Sequence, residues 1–121
     1  MASFVIPTVD TTADETKVLL TDRAGNNTTS IYRIIATNPN AVDGWIQWFD
    51  VAATDDVTLG TTVPDWFTFI PAGDGTNDGA VVEDFYNAPV KFQKGIVYAV
   101  TTTVGGSTGP TADGALGVLH R

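Results

Sequence analysis

Catalysis requires a base, a nucleophile or a metal-holding cluster, and this chain offers few of each. Its one histidine, His120, is the penultimate of 121 residues and ends a strand-like run, ALGVLH. A general base needs an orienting carboxylate and a pocket; nothing around His120 suggests either, so it reads as a surface or interface residue. Ser3, Ser30 and Ser107 fall in flexible stretches, and GGSTG around Ser107 lacks the strand–turn–helix setting of a nucleophilic serine. There are no cysteines, which excludes disulfides, thiolate metal sites and cysteine catalysis. The 14 acidic residues would permit a carboxylate pair for glycoside hydrolysis, but most sit beside Gly and Thr in loops, where solvated turn residues are the default. Segment 74–79, DGTNDG, places oxygen ligands as the first half of a calcium loop does. Thr76 in its third position and Phe85 in its twelfth break that match, and an ordinary turn is the leading reading. The chain is expected to be no enzyme and to hold no cofactor and no metal.

The aromatic side chains are the remaining chemistry-bearing groups. Trp45, Trp48, Trp66, Phe67, Phe69, Tyr86 and Tyr98 could stack against sugars, or simply pack a core and an interface, since each aromatic can bury about 150–250 Å². Runs 45–49 and 66–70 are apolar on both faces, more than one side of a small core requires. That excess points to a subunit interface, with Trp45, Trp48 and Trp66 as contact residues.

The elements that carry these residues are short and rich in β-branched and aromatic residues, and Asn, Pro, Asp and Gly bound them. Strands are expected over 17–22, 31–37, 44–52, 66–70, 80–86, 96–104 and 115–120, with a turn and then a strand in 87–95 and a short edge strand at 57–60. Alternation along 31–37 puts Tyr32, Ile34 and Ala36 on one face and Ile31, Arg33, Ile35 and Thr37 on the other. Nothing reads as a helix longer than a turn or two. The fold class is all-β: an antiparallel, jelly-roll-like β-sandwich of eight or nine short strands. Residues 1–16 are expected to form an extended N-terminal arm whose Phe4, Val5 and Ile6 dock on a neighbouring subunit, and 17–121 to form the sandwich domain.

A net charge of −8 argues against nucleic acid, because phosphate contacts need clustered Lys and Arg and the six cations are scattered. No apolar run approaches the roughly 20 residues that span a bilayer. The N-terminus has neither the basic start nor the long apolar run of a signal peptide. No membrane association is expected, and synthesis is expected in a cytoplasm.

Four strings carry a resemblance: IYRIIATNPNAVDGWIQWFD, DVTLGTTVPDWFTFIPAG, YAVTTTVGGSTGPT and the terminal GVLHR. They resemble a group of small virion structural proteins of tailed bacteriophages and prophages, over residues 31–121. The resemblance implies a head decoration (cement) protein. It would be a β-sandwich on the virion capsid surface, a homo-oligomer (a trimer) bound to the major capsid protein at capsomer junctions. Another virion component, such as a tail, adaptor or fibre-base module, and a carbohydrate-binding β-sandwich are the alternatives.

Overall fold

The computed structural model describes residues 5–121. Nine strands form along the chain: β1 (Ile6–Ala13), β2 (Val18–Leu19), β3 (Ser30–Asn38), β4 (Gly44–Phe49), β5 (Trp66–Ile70), β6 (Gly79–Asp84), β7 (Val90–Lys91), β8 (Val97–Thr101) and β9 (Gly114–His120). One turn of 3-10 helix, Thr54–Asp56, is the sole helical element among the described residues. The all-β class read from the sequence is the fold observed.

The strands pair antiparallel in two sheets. Sheet A has the order β1-β9-β3-β6, with β7 also on β3, and sheet B the order β2-β8-β4-β5. β6 and β7 pair successive stretches of β3, through Arg33–Asn38 and Ser30–Ile31 respectively. Early strands thus lie beside late ones: β1 with β9, β2 with β8, β3 with β6 and β4 with β5. A long hairpin folded over on itself gives this winding, which is that of a jelly roll.

Between the sheets lies one apolar core. Ile31, Ile34, Leu116 and Val118 of sheet A face Ile46, Trp48, Tyr98 and Val100 of sheet B. Alternation along each strand then turns the intervening residues outward. A smaller cluster of Phe49, Val57 and Val97 lies on the far side of sheet B, closed by Leu19, Val51 and Leu59. There the segment after β4 folds back over the sheet, and Lys17 Nζ donates to the Val57 carbonyl at 2.6 Å. This explains why the Phe49 end of β4 is apolar on both faces: there the strand is covered on both sides.

The strand expected over 17–22 is only Val18–Leu19, that in the 87–95 run only Val90–Lys91, and those over 44–52 and 80–86 end at Phe49 and Asp84. Three further expectations are revised. Residues 57–60 form no strand; they are the loop that seals the small cluster. Strand β8 stops at Thr101 rather than continuing to Val104, because the chain turns there and Gly105 takes a φ of +74°. The face assignment of β3 holds only in part. A register shift between Ile31 and Arg33 against β9 is a β-bulge that accommodates Tyr32, so Ile31 joins Ile34 and Ala36 inside while Arg33 and Ile35 face out.

Within this chain the segment expected to form an arm is an edge strand. β1 pairs with β9 from Ile6↔His120 to Ala13↔Gly114. Tyr98 Oη of sheet B donates to Asp10 Oδ2 at 2.8 Å, and the Val100 amide donates to the Asp14 carbonyl at 2.8 Å. These bonds tie β1 to both sheets, so a boundary at residue 16 divides nothing. Pro7 suits an edge strand, which needs no ladder donor at that position.

Candidate functional site

His120 is placed by β9 on the inner face, where it is 0% exposed. Thr28 Oγ1 lies 2.6 Å from its Nδ1 and Thr8 Oγ1 2.7 Å from its Nε2. Thr28 also donates to the Leu20 carbonyl, so its oxygen accepts from Nδ1–H, which leaves Nε2 to accept from Thr8. The surface or interface position expected for His120 is therefore corrected. Leu116, Val118 and His120 share the parity that faces the core, and the imidazole is an internal link between β1, β9 and the 20–28 loop. Burial lowers its pKa from 6.5. The unfolded chain takes up a proton that the folded chain resists, so this stability is full above about pH 6.5 and is lost as pH falls towards the lowered folded value. His120→Gln is expected to flatten the dependence of the urea midpoint on pH between about 7 and 5; equal slopes in variant and parent would contradict the assignment.

The 74–79 segment directs its oxygens at its own backbone. Asp74 Oδ1 accepts from the amides of Asn77 at 2.7 Å and Thr76 at 2.9 Å, and these bonds lower its pKa below the ordinary 3.8. Gly75 supports the turn with a φ of +88°. Among the described residues no group of three or more His, Asp or Glu side chains is arranged to hold a metal ion.

Of the expected contact residues, Phe4 lies outside the described residues. Val5 and Ile6 are half-buried, and Ile6 is paired with His120. Trp48 is 0% exposed. Its ring sits 5.8 Å from Trp66 and 5.6 Å from Tyr98, and its Nε1 donates to Thr68 Oγ1 at 3.0 Å. That corrects its assignment as a contact: it belongs to this chain's own core. Trp66 packs against the same core and against Phe85 at 5.5 Å. Trp45 alone of the three turns outward. It joins Phe67 at 5.5 Å and Phe69 at 4.9 Å, and both phenylalanines are exposed on β5, an edge strand of sheet B.

A second outward surface was not identified from the sequence. Across sheet A the register aligns Pro7, Leu119, Arg33 and Asp84 in one row and Val9, Gly117, Ile35 and Val82 in the next. Ala115, Thr37 and Ala80 follow in a third. Val9 is 74% and Val82 57% exposed, and Ile35 is exposed between them. Arg33 and Asp84 are the only charged residues in these rows, in a chain with 14 acids and six bases. Four strands about 4.8 Å apart and rows about 6.8 Å apart make a face of about 400 Å² with its side-chain margin. The signal was present as alternation in 7–11 and 80–84, but only the pairing of β1, β9, β3 and β6 unites the fragments.

Compared with models of protein families, with curated proteins and with solved structures, the chain matches none of them.

Proposed function

We propose that this chain is a non-enzymatic virion structural protein of a tailed bacteriophage, one that decorates the capsid surface and stabilises it as a cement protein. It acts as a homo-oligomer, a trimer, bound to the major capsid protein at capsomer junctions. The observation that carries this reading is apolar surface turned outward on both sheets: Val9, Ile35 and Val82 on one, Trp45, Phe67 and Phe69 on the other. A free-standing sandwich needs neither, whereas a protein that contacts both its copies and a shell needs two such surfaces. The resemblance of residues 31–121 to phage virion proteins supplies the partner.

Mass action supplies the mechanism. A protein that binds only the assembled shell stabilises that state by an amount set by its affinity and concentration. The sheet A face, at about 400 Å², is half of the roughly 800 Å² each partner contributes to a standard interface. A single copy would bind weakly, and linking three copies converts weak contacts into avidity. The aromatic group is less suited to sugars. Phe67 and Phe69 are inclined 70° and 53° to the Trp45 ring, so the three rings do not form the coplanar platform that stacking on a sugar requires.

Co-sedimentation of the purified protein with undecorated capsids, beside its mass by analytical ultracentrifugation, tests this reading. Saturable binding to shells by a trimer is the expected result. Bare shells, with the protein on tails or in the supernatant, would refute capsid decoration.

A further inference from the structure

β1 is held differently from the strands inside the sandwich. It lies at the end of sheet A and pairs with β9 alone. Two of the side chains it turns inward are polar, and each reaches the body of the domain through one bond. Thr8 Oγ1 lies 2.7 Å from His120 Nε2, and Tyr98 Oη donates to Asp10 Oδ2 at 2.8 Å. On β3, by contrast, the inward Ile31, Ile34 and Ala36 are enclosed apolar groups. Apolar burial begins on β1 only at Ala13, next to which the Val100 amide holds the Asp14 carbonyl. Residues 6–12 therefore have little to lose on opening, and residues 13 and 14 form the hinge.

The Thr8 bond depends on a neutral ring. Nδ1–H donates to Thr28, so Nε2 must accept from Thr8; a proton on Nε2 reverses that bond and places a positive charge where water does not reach. Nothing nearby offsets the charge. Asp10 on β1 is engaged with Tyr98, and Asp22 in the 20–28 loop accepts from the amides of its own turn. Arg33 on β3 faces out, Lys91 on β7 is exposed, and the Arg121 guanidinium lies 5.5 Å above the Tyr32 ring.

We infer that β1 is an acid-released strand: protonation of His120 peels residues 6–12 from β9, hinged at 13 and 14, while the rest of both sheets stays folded. Removing β1 is the shortest route from the imidazole to water, and it leaves the β9 edge with unpaired N–H and C=O groups that another strand could join. The device is independent of whether the chain decorates a capsid. A ring released to water titrates near the ordinary 6.5, above the value of the enclosed ring. The closed strand is thus fully favoured above about pH 6.5 and loses ground as pH falls below it. One such histidine raises the open population by up to about 25-fold between pH 7 and pH 5.

Amide hydrogen exchange of the full-length protein, followed by NMR at pH 7 and pH 5, tests this. Protection factors are compared, which removes the intrinsic effect of pH on exchange. Those of β1 are expected to fall at least fivefold at pH 5, those of β4 and β8 to hold, and the His120 imidazole to titrate below 6.5 in the same samples. His120→Gln should abolish the pH dependence of β1. Should that variant fail to fold, Thr8→Val, on the edge strand, is expected to lower β1 protection already at pH 7 and leave β4 and β8 unchanged. Equal loss in every strand would mean global unfolding and overturn the inference. So would β1 protection that is the same at both pH values, a pH dependence that survives His120→Gln, or a Thr8→Val variant indistinguishable from the parent.

Discussion

Trp48→Ala is expected to destabilise the fold by about 3–5 kcal/mol, the range for removing a fully buried Trp or Phe side chain. The indole is wholly enclosed and touches Trp66 and Tyr98, so its loss opens a cavity where the two sheets meet. It also leaves Thr68 Oγ1, buried and bonded to Trp48 Nε1, without its donor. Against a total stability of about 5–15 kcal/mol for a domain, this leaves a marginal protein. The thermal midpoint should fall by about 10–25 °C. Trp45→Ala, on the outer and half-buried side of the same strand, should fall by far less. Melting curves followed by circular dichroism decide it; similar midpoints for the two variants would mean that β4 is not oriented as described.

The second large effect comes from a single methyl group. A Cβ on Gly79 would collide with the Pro71 carbonyl oxygen and lie 2.8 Å from that of Ala72. Both neighbours are backbone, and the segment is held in place: Asn38 Nδ2 donates to the Pro71 carbonyl at 3.3 Å, and the Gly73 amide donates to the Asn40 carbonyl at 2.7 Å. Neither side can move without breaking a bond, so Gly79→Ala is expected to cost about 3 kcal/mol or more, at the upper end for overpacking. Gly117→Ala supplies the contrast. Its methyl meets open space, and alanine should hold or raise stability by about 0.5–1 kcal/mol. Urea titration of the two variants reads the difference directly. Equal stabilities would show that glycine at 79 serves something other than the close approach of the 71–73 segment.

These two glycines indicate what the sequence could and could not reveal. The alternating, β-branched runs around Ile34, Trp48 and Val100 made the sandwich legible, because a half-buried strand has a period of two that local composition displays. The bulge at Tyr32 was not legible, since it exists only against β9, some 90 residues further along the chain. The same holds for β1. Residues 6–13 look like a polar tail until β9 offers its edge and Asp10 meets the hydroxyl of Tyr98. Aromatic richness in the sequence points to interface surplus, and the structure divides it: Trp48 and Trp66 pack the core, while Trp45 with its two phenylalanines faces out. The apolar face of sheet A is not legible in the sequence because its residues are individually ordinary. Val9, Gly117, Ile35 and Val82 become one surface only through pairing across four strands.

Cryo-electron microscopy of undecorated capsids mixed with the purified protein tests the central claim most directly. The account predicts density at regular positions over capsomer junctions. Shells without added density, or density confined to tails, would contradict it.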